Sequence, residues 1–180
     1  MGQFVNNYKR KQLKLQRIVN SHAQDIISSA NFKKSRGFIQ HGDISVHKHS
    51  LAVARASLRL SDNLERLGIR CHKRELIRGA LLHDYFLYDW HDKNRPDFRP
   101  LHGFHHAGTA LRNALQEYDL TDREKDIIKK HMWPLNPVPP MCREAWIVTC
   151  ADKYCSTLET LRGYRLRLQH ITTRNNRGVS

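Results

Sequence analysis

The sequence has few cysteines, no long apolar run and almost no strict alternation of apolar and polar residues. Its four cysteines show no CxxC spacing, and structural zinc sites normally pair ligands two to four residues apart. We therefore expect reduced cysteines and no cysteine-zinc cluster. No apolar stretch approaches the roughly 18 residues of a membrane span, and the first residues lack the apolar core of a secretory signal. These absences favour a soluble, cytoplasmic protein with no membrane partner.

Positive charge is abundant, with a formal net charge of +14 over 180 residues. Most of it lies at the two ends, because residues 1–48 carry +7, residues 49–161 only +2 and residues 162–180 +5. Basic ends of this kind could attract an anionic substrate or, weakly, nucleic acid. They are more often solvated arms than specific readers of nucleic acid, so the charge alone does not indicate a nucleic-acid-binding protein.

Apolar residues recur every three or four positions, which is the spacing of one helix face. We predict an all-α fold, a compact single-domain bundle of about six or seven helices with no significant sheet. The predicted helices cover approximately residues 5–30, 44–67, 73–87, 103–118, 121–131 and 141–161. Asp43 can cap the second helix, and Thr121 with Glu124 forms a capping box. Four prolines make residues 133–140 a loop.

The length fits one domain with appended ends. We predict a basic N-terminal helix and connector over residues 1–42, packed on or flanking the domain. The helical domain is predicted over residues 43–161, and a basic C-terminal tail, either a short helix or frayed, over residues 162–180.

Histidine and aspartate residues stand within this helical, apolar pattern at positions where metal ligands would be buried. These residues are His49, His83, Asp84, His106, His131 and Asp152. A lone histidine on an apolar face is usually a satisfied core residue, and for His49 alone that interpretation is the better one. Asp152 is harder to explain in this way, because burying a carboxylate is costly unless a cation or several donors meet it. Together these residues indicate a buried metal site.

The order of these residues resembles the HD superfamily of metal-dependent phosphohydrolases. The resemblance covers approximately residues 43–161. It is carried by His49-Ser-Leu-Ala-Val-Ala54, Gly79-Ala-Leu-Leu-His83-Asp84 and Thr149-Cys-Ala-Asp152-Lys153. Because His106 and His131 follow the His-Asp pair 25 residues apart, the pattern is similar to the two-metal branch. That branch includes HD-type diadenosine tetraphosphate hydrolases and cyclic-dinucleotide phosphodiesterases.

The resemblance implies a ligand set and a reaction. His49, His83, Asp84 and Asp152 would hold one divalent transition metal ion, and Asp84 would bridge to a second ion held by His106 and His131. Iron, manganese, zinc and nickel all suit such ligands. His83 and Asp84 would be the catalytic residues, in hydrolysis of a nucleotide or related phosphoester by metal-activated water. Within the sequence His102 to His106, we favour His106 over His102 as the ligand, because its spacing to His131 fits the family better.

Contacts to the substrate are less clearly indicated. Many two-metal relatives have a lysine four residues after the histidine of the pair, where this chain has Leu87. Phosphate contacts must then come from other residues. The candidates for substrate binding are His102, His105, Lys153, Arg99 and Trp133, with Arg95 and Lys130 as further cations and Trp90 as a second ring for stacking on a base. Two alternatives to an enzyme stay open: a catalytically silent nucleotide sensor, and a nucleic-acid-associated module that uses the basic ends.

Overall fold

The computed structural model describes residues 2–92 and 102–177. Within these residues, seven α-helices make up most of the fold, which confirms the predicted all-α class. They are α1 (Gly2–Ser28), α2 (Ala30–Lys34), α3 (Val46–Arg66), α4 (Lys73–Leu82), α5 (His102–Glu117), α6 (Asp122–Lys130) and α7 (Arg143–Arg177). A 3-10 turn, Ser35–Gly37, follows α2.

A short antiparallel hairpin, β1 (Ile39–His41) and β2 (Ile44–Ser45), precedes α3. The sequence did not indicate these strands, because two or three residues are too few to show an alternating pattern. The hairpin turns at Gly42, whose φ of +60° favours glycine. Ser45, and not the predicted Asp43, caps α3, and its side chain accepts a hydrogen bond from the Lys48 amide.

Helix packing creates one core between the central helices. Helix α3 packs against α4 and α7, and α4 also contacts α1 and α6. Helix α5 packs on α6. Fully buried side chains from four helices meet in this core, among them Leu58, Leu81, Ile127 and Val148. Burying such side chains is the main favourable contribution to the stability of a fold of this size.

Two helix ends differ from prediction for reasons of tertiary structure. Helix α4 ends at Leu82, so that His83 and Asp84 lie in the turn after it. The carbonyls of Tyr85 and Phe86 accept hydrogen bonds from the Asn113 side chain of α5, each at 3.0 Å. No glycine or proline marks this end in the sequence, whereas a contact with a distant helix stabilises the turn.

Helix α7 continues past residue 161 to Arg177, where a short helix or frayed tail was predicted. At Gly163 the helix passes close to the hairpin, since a Cβ there would lie 3.7 Å from the Cα of Gly42. The capping box of Thr121 and Glu124 is confirmed at the start of α6. No helix among the described residues is long and apolar enough to cross a membrane.

Candidate metal centre

Six ligand-type side chains converge where α3, α5, α6, α7 and the turn after α4 meet. They are the predicted residues His49, His83, Asp84, His106, His131 and Asp152, and none is more than 7% exposed. Residues up to 103 positions apart in the chain are in direct contact here. The fold thus brings the complete predicted ligand set into one buried cluster.

One half of the cluster contains His49, His83 and Asp152. Nε2 of His49 lies 3.0 Å from Oδ1 of Asp152 and 3.7 Å from Oδ2 of Asp84. Nε2 of His83 lies 3.3 Å from the same Oδ2 and 3.7 Å from Oδ1 of Asp152. One ligand atom from each of His49, His83 and Asp152 lies within 4.8 Å of the others, so these three residues can hold a metal ion together.

The other half contains His106 and His131. Their Nε2 atoms lie 3.2 and 3.6 Å from Oδ1 of Asp84 and 2.9 Å from each other. His83, Asp84 and His131 form a second group that can hold a metal ion. The two oxygens of Asp84 therefore face different pairs of histidines.

Hydrogen bonds at the far side of three rings direct Nε2 towards the cluster. Nδ1 of His83 donates to the Ala80 carbonyl at 2.7 Å, and Nδ1 of His131 donates to the Ile128 carbonyl at 2.9 Å. Nδ1 of His49 lies 2.9 Å from a carboxylate oxygen of Glu159. Carbonyl and carboxylate oxygens can only accept, so each Nδ1 carries a proton and Nε2 is the nitrogen that could bind a metal ion.

The donor set fits a divalent transition metal ion. Imidazole nitrogen and carboxylate oxygen are the ligands that iron, manganese, zinc and nickel accept in proteins. Nε2 of His83 is buried and makes no well-directed hydrogen bond with the described residues. A buried polar atom that lacks a well-directed hydrogen bond is costly, and a metal ion at this position would remove that cost.

Without a metal ion, protonated histidines supply positive charge next to the carboxylates of the cluster. Burial lowers the pKa of His49, but hydrogen bonds to Asp152 and Glu159 raise it to about 9. Burial also lowers the pKa of His83, yet Asp84 and Asp152 hold it well above its usual range. His131 has its pKa lowered to about 3 by burial and by the neighbouring His83 and His106. Metal ions would therefore compete with protons for His49 and His83.

The two carboxylates are held in the ionised form. Burial by itself would raise the pKa of Asp84, but His83 and His106 lower it well below the usual range. Asp152 behaves alike, because hydrogen bonds with His49 and His83 outweigh its burial. Both aspartates are thus available as ligands at neutral pH.

Among protein-family models, that of the HD domain matches residues 46–157 of this chain, which is more than half of its length. This chain belongs to the HD domain family. The match contains all six residues of the cluster. HD domains bind divalent metal ions, and members of the family are generally metal-dependent phosphohydrolases. Comparisons with curated proteins and with solved structures gave no match.

Three further residues hold the candidate ligands in place and were not predicted from the sequence. Nε2 of Gln40, in the hairpin, donates to Oδ2 of Asp84 at 2.6 Å. Glu159 accepts from His49, as described above, and Ser156 donates to Oδ1 of Asp152 at 3.2 Å. Glu159 follows Asp152 by seven residues, two helical turns, so its position on the ligand face of α7 was detectable. Gln40 had no such signal, because it lies in a connector.

A cavity of about 530 Å³ opens onto the metal centre of the HD domain. It is lined by Gln40, Asp84, Trp90, Gly103, His106, His131, Met132, Asp152, Lys153 and Ser156. Lys153, which we predicted to bind substrate, lines this cavity. Trp90, which we predicted as a second ring for stacking on a base, lines it too. Leu87 packs partly buried against the core with a φ of +60°, so it takes no part in the cavity.

The other predicted substrate residues lie elsewhere or outside the described residues. Trp133 packs against Trp146, with ring centroids 4.9 Å apart, and is not among the described residues that line the cavity. His105 is exposed and does not line it either. Lys130 pairs with Asp126 at 2.7 Å. Arg95, Arg99 and the His102 side chain lie outside the described residues.

Proposed function

We propose that this protein hydrolyses a nucleotide or related phosphoester with two divalent transition metal ions, as in the two-metal branch of the HD superfamily. The observation that carries the proposal is the position of Asp84. One of its oxygens faces His49 and His83, and the other faces His106 and His131. A structural aspartate would not need two separate pairs of histidines.

His49, His83, Asp152 and Oδ2 of Asp84 would hold the first ion, and His106, His131 and Oδ1 of Asp84 the second. Ions bound there would lower the pKa of a bound water molecule and neutralise charge on the phosphoryl group. Gln40 and Ser156 keep the two carboxylates oriented, since each donates a hydrogen bond to one of them. Glu159 orients the His49 ring.

Lys153 supplies the positive charge that the position of Leu87 lacks. Its side chain lines the cavity, and its Nζ lies 3.5 Å from the carbonyl of His131. An ammonium group on a flexible stem can reach a phosphoryl oxygen bound beside the cluster. The cavity volume of about 530 Å³ lies in the range of roughly 300 to 1,000 Å³ that is typical of small-molecule sites.

The decisive experiment combines metal analysis with a hydrolysis screen. Purified protein, reconstituted with iron, manganese, zinc or nickel, would be assayed against mono-, di- and cyclic nucleotides and dinucleoside polyphosphates. We expect about two ions per chain and hydrolysis of at least one compound. Asp84→Ala should abolish both, and His106→Ala should remove one ion. His22→Ala, on α1, is the control for loss of a histidine outside the cluster.

Full hydrolysis by Asp84→Ala would refute the proposal. Tight nucleotide binding without turnover across the whole panel would instead favour the catalytically silent sensor. Unchanged metal content in His106→Ala would contradict the second ion and leave a single-ion centre.

A further inference from the structure

We propose that a second cavity beside the metal centre binds the aromatic base of a nucleotide substrate. This inference rests on the proposed phosphoester hydrolysis and adds the part of the substrate that does not react. The cavity measures about 200 Å³ and is lined by Gln40, Gly42, Trp90, His91, Thr160, Gly163 and Tyr164. None of its lining residues except Gln40 and Trp90 borders the larger cavity.

The two cavities adjoin and follow one face of α7. Gln40 and Trp90 line both of them. Along α7, Asp152 and Ser156 line the larger cavity, while Thr160 and Tyr164 line the smaller one. These residues succeed each other every four positions, so they share a helix face over a length of about 18 Å. A ligand with its phosphate in the larger cavity would therefore direct its other end towards Thr160 and Tyr164 along this helix face.

Aromatic rings stand at this second cavity. Trp90 lies at the junction with the metal centre and stacks on His91, with ring centroids 3.8 Å apart and planes inclined by 32°. Tyr164 lines the cavity from α7 and is 62% exposed. A large aromatic side chain at an open position gives little stability to the fold, whereas base stacking on such a ring contributes substantially to nucleotide binding.

The two cavities differ in the charge of the residues that line them. The larger one carries Lys153 and the metal ligands, which suit a phosphate. Among the described residues that line the smaller one, there is no lysine, arginine, aspartate or glutamate. A second phosphate group would find no positive charge there. An uncharged, flat aromatic group with hydrogen-bonding edges fits this lining, with Thr160 and Gln40 as polar partners.

Gly42, Gly163 and the side-chain amide of Gln40 form part of the wall of the smaller cavity. The hairpin contacts α7 at Gly42 and Gly163, where a Cβ on Gly42 would lie 3.6 Å from the Cα of Gly163, an ordinary van der Waals distance. Nε2 of Gln40 is used by Asp84, whereas its Oε1 is buried and has no hydrogen-bond partner among the described residues. A bound base or ribose that donates a hydrogen bond to this oxygen would remove the cost of the unpaired acceptor.

The test compares substrates that differ only in the base. The metal-reconstituted protein would be assayed with the four ribonucleoside 5'-monophosphates and with ribose 5-phosphate. We expect kcat/KM to favour at least one nucleotide over ribose 5-phosphate. Trp90→Ala should reduce that preference roughly tenfold, the scale of one lost stacking contact. Tyr164→Ala, at a position too exposed to endanger folding, should also reduce it. Tyr154→Ala is the matched control, because Tyr154 is equally exposed on the same helix and should leave the preference unchanged.

A second measurement is independent of turnover. Free nucleosides would be titrated into the same protein and followed by ligand-observed NMR, since a nucleoside carries the base without the reacting phosphate. Nucleoside binding that is lost in both Trp90→Ala and Tyr164→Ala and kept in Tyr154→Ala supports the inference, because Tyr164 lines the smaller cavity and not the larger one. It would do so even if no phosphoester were hydrolysed, a result that would refute the proposed function alone. Hydrolysis of ribose 5-phosphate as efficient as that of every nucleotide, or nucleoside binding unchanged in both Trp90→Ala and Tyr164→Ala, would overturn the inference while leaving the hydrolase intact.

Discussion

A carboxylate oxygen of Glu159 lies 2.9 Å from Nδ1 of His49, on the side of the ring opposite the metal centre. This contact fixes the orientation of the imidazole and the position of its proton, so that Nε2 points to Asp84 and Asp152. It also makes the ring more basic, which strengthens a metal bond. Glu159 therefore belongs to the site although it lies two helical turns beyond the last ligand.

Glu159→Gln should weaken metal binding by about 10- to 100-fold, because the neutral amide no longer polarises the His49 ring. The measurement is a metal titration in competition with a chelator, followed by total metal analysis. Glu75→Gln removes a carboxylate from the first turn of α4, outside the cluster, and should bind metal like the parent protein. Equal affinities of Glu159→Gln and Glu75→Gln would show that the contact with His49 has no role in metal binding.

Gln40→Met keeps the volume of the side chain but removes the hydrogen bond to Oδ2 of Asp84. Since a hydrogen bond to a charged group contributes about 1.5 to 3 kcal/mol, we expect kcat to fall at least roughly tenfold. Metal content should change much less, because every ligand remains. Gln16→Met, which breaks contacts with Asn20 and Arg55 on the N-terminal side of the molecule, serves as the control. A kcat equal to that of the parent protein would argue against a role of Gln40 in positioning Asp84.

Gly79→Ala should destabilise the protein by about 1 to 3 kcal/mol, the usual cost of overpacking a core. The added Cβ would lie 2.6, 2.8 and 2.9 Å from three carbons of Ile127, so α4 and α6 must move apart. Because these helices lead to His83 and His131, metal affinity should fall with stability. Urea unfolding and metal titration measure the two effects.

Gly108→Ala is the matched control for this substitution. Gly108 also lies within a helix, but among the described residues a Cβ there would meet only the end of the Arg112 side chain, at 4.0 Å. Alanine should stabilise the helix at that position by up to about 1 kcal/mol, since glycine is the poorer helix former. If Gly79→Ala were as stable as Gly108→Ala, the close approach of α4 and α6 would not be a constraint.

Asp126→Ala should destabilise the protein at neutral pH by about 1 to 3 kcal/mol. Oδ2 of Asp126 accepts hydrogen bonds from the amides of Met141 and Cys142, at 2.8 and 3.0 Å, and Oδ1 pairs with Lys130. Burial would raise the pKa of Asp126, but Lys130 and the two amides lower it below 3.8. The pH dependence has a definite sign, because a carboxylate with a lowered pKa in the folded protein contributes stability above its unfolded pKa.

The difference in unfolding free energy between the parent and Asp126→Ala should therefore be constant near neutral pH and shrink as the pH falls below about 3.8. Denaturant unfolding at a series of pH values measures it. Asp122→Ala is the control, because the Asp122 side chain is fully exposed in its pair with Lys125 and should contribute little at any pH. A difference for Asp126→Ala that grew towards low pH would contradict the assignment.

Much of the fold was predictable from local patterns. The apolar spacing predicted most of the helices, and the capping box at Thr121 located the start of α6 because its two hydrogen bonds join residues three apart. The end of α4 was not predictable. It depends on hydrogen bonds from Asn113 to the carbonyls of Tyr85 and Phe86, which lie 28 and 27 residues before it in the chain.

The continuation of α7 past residue 161 was also missed. Gly163 and the many arginines of this segment indicated a weak helix, because glycine is unfavourable within helices. In the structure the helix continues through this glycine and contacts the hairpin, where a Cβ on Gly163 would lie 3.7 Å from the Cα of Gly42. A contact with a distant hairpin has no trace in the composition of the segment itself.

The sequence by itself determined the ligand types, their order and their helical setting, because local spacing places His49, His83, His131 and Asp152 on helices or at their ends. Only the tertiary structure decided what each ligand faces. The two oxygens of Asp84 reach different histidine pairs, Gln40 and Glu159 support the ligands, and Trp90, but not Trp133, borders the cavity. The physical reason is distance along the chain: periodicity reports on neighbours three or four residues away, whereas these contacts join residues up to 110 positions apart or depend on how whole helices pack.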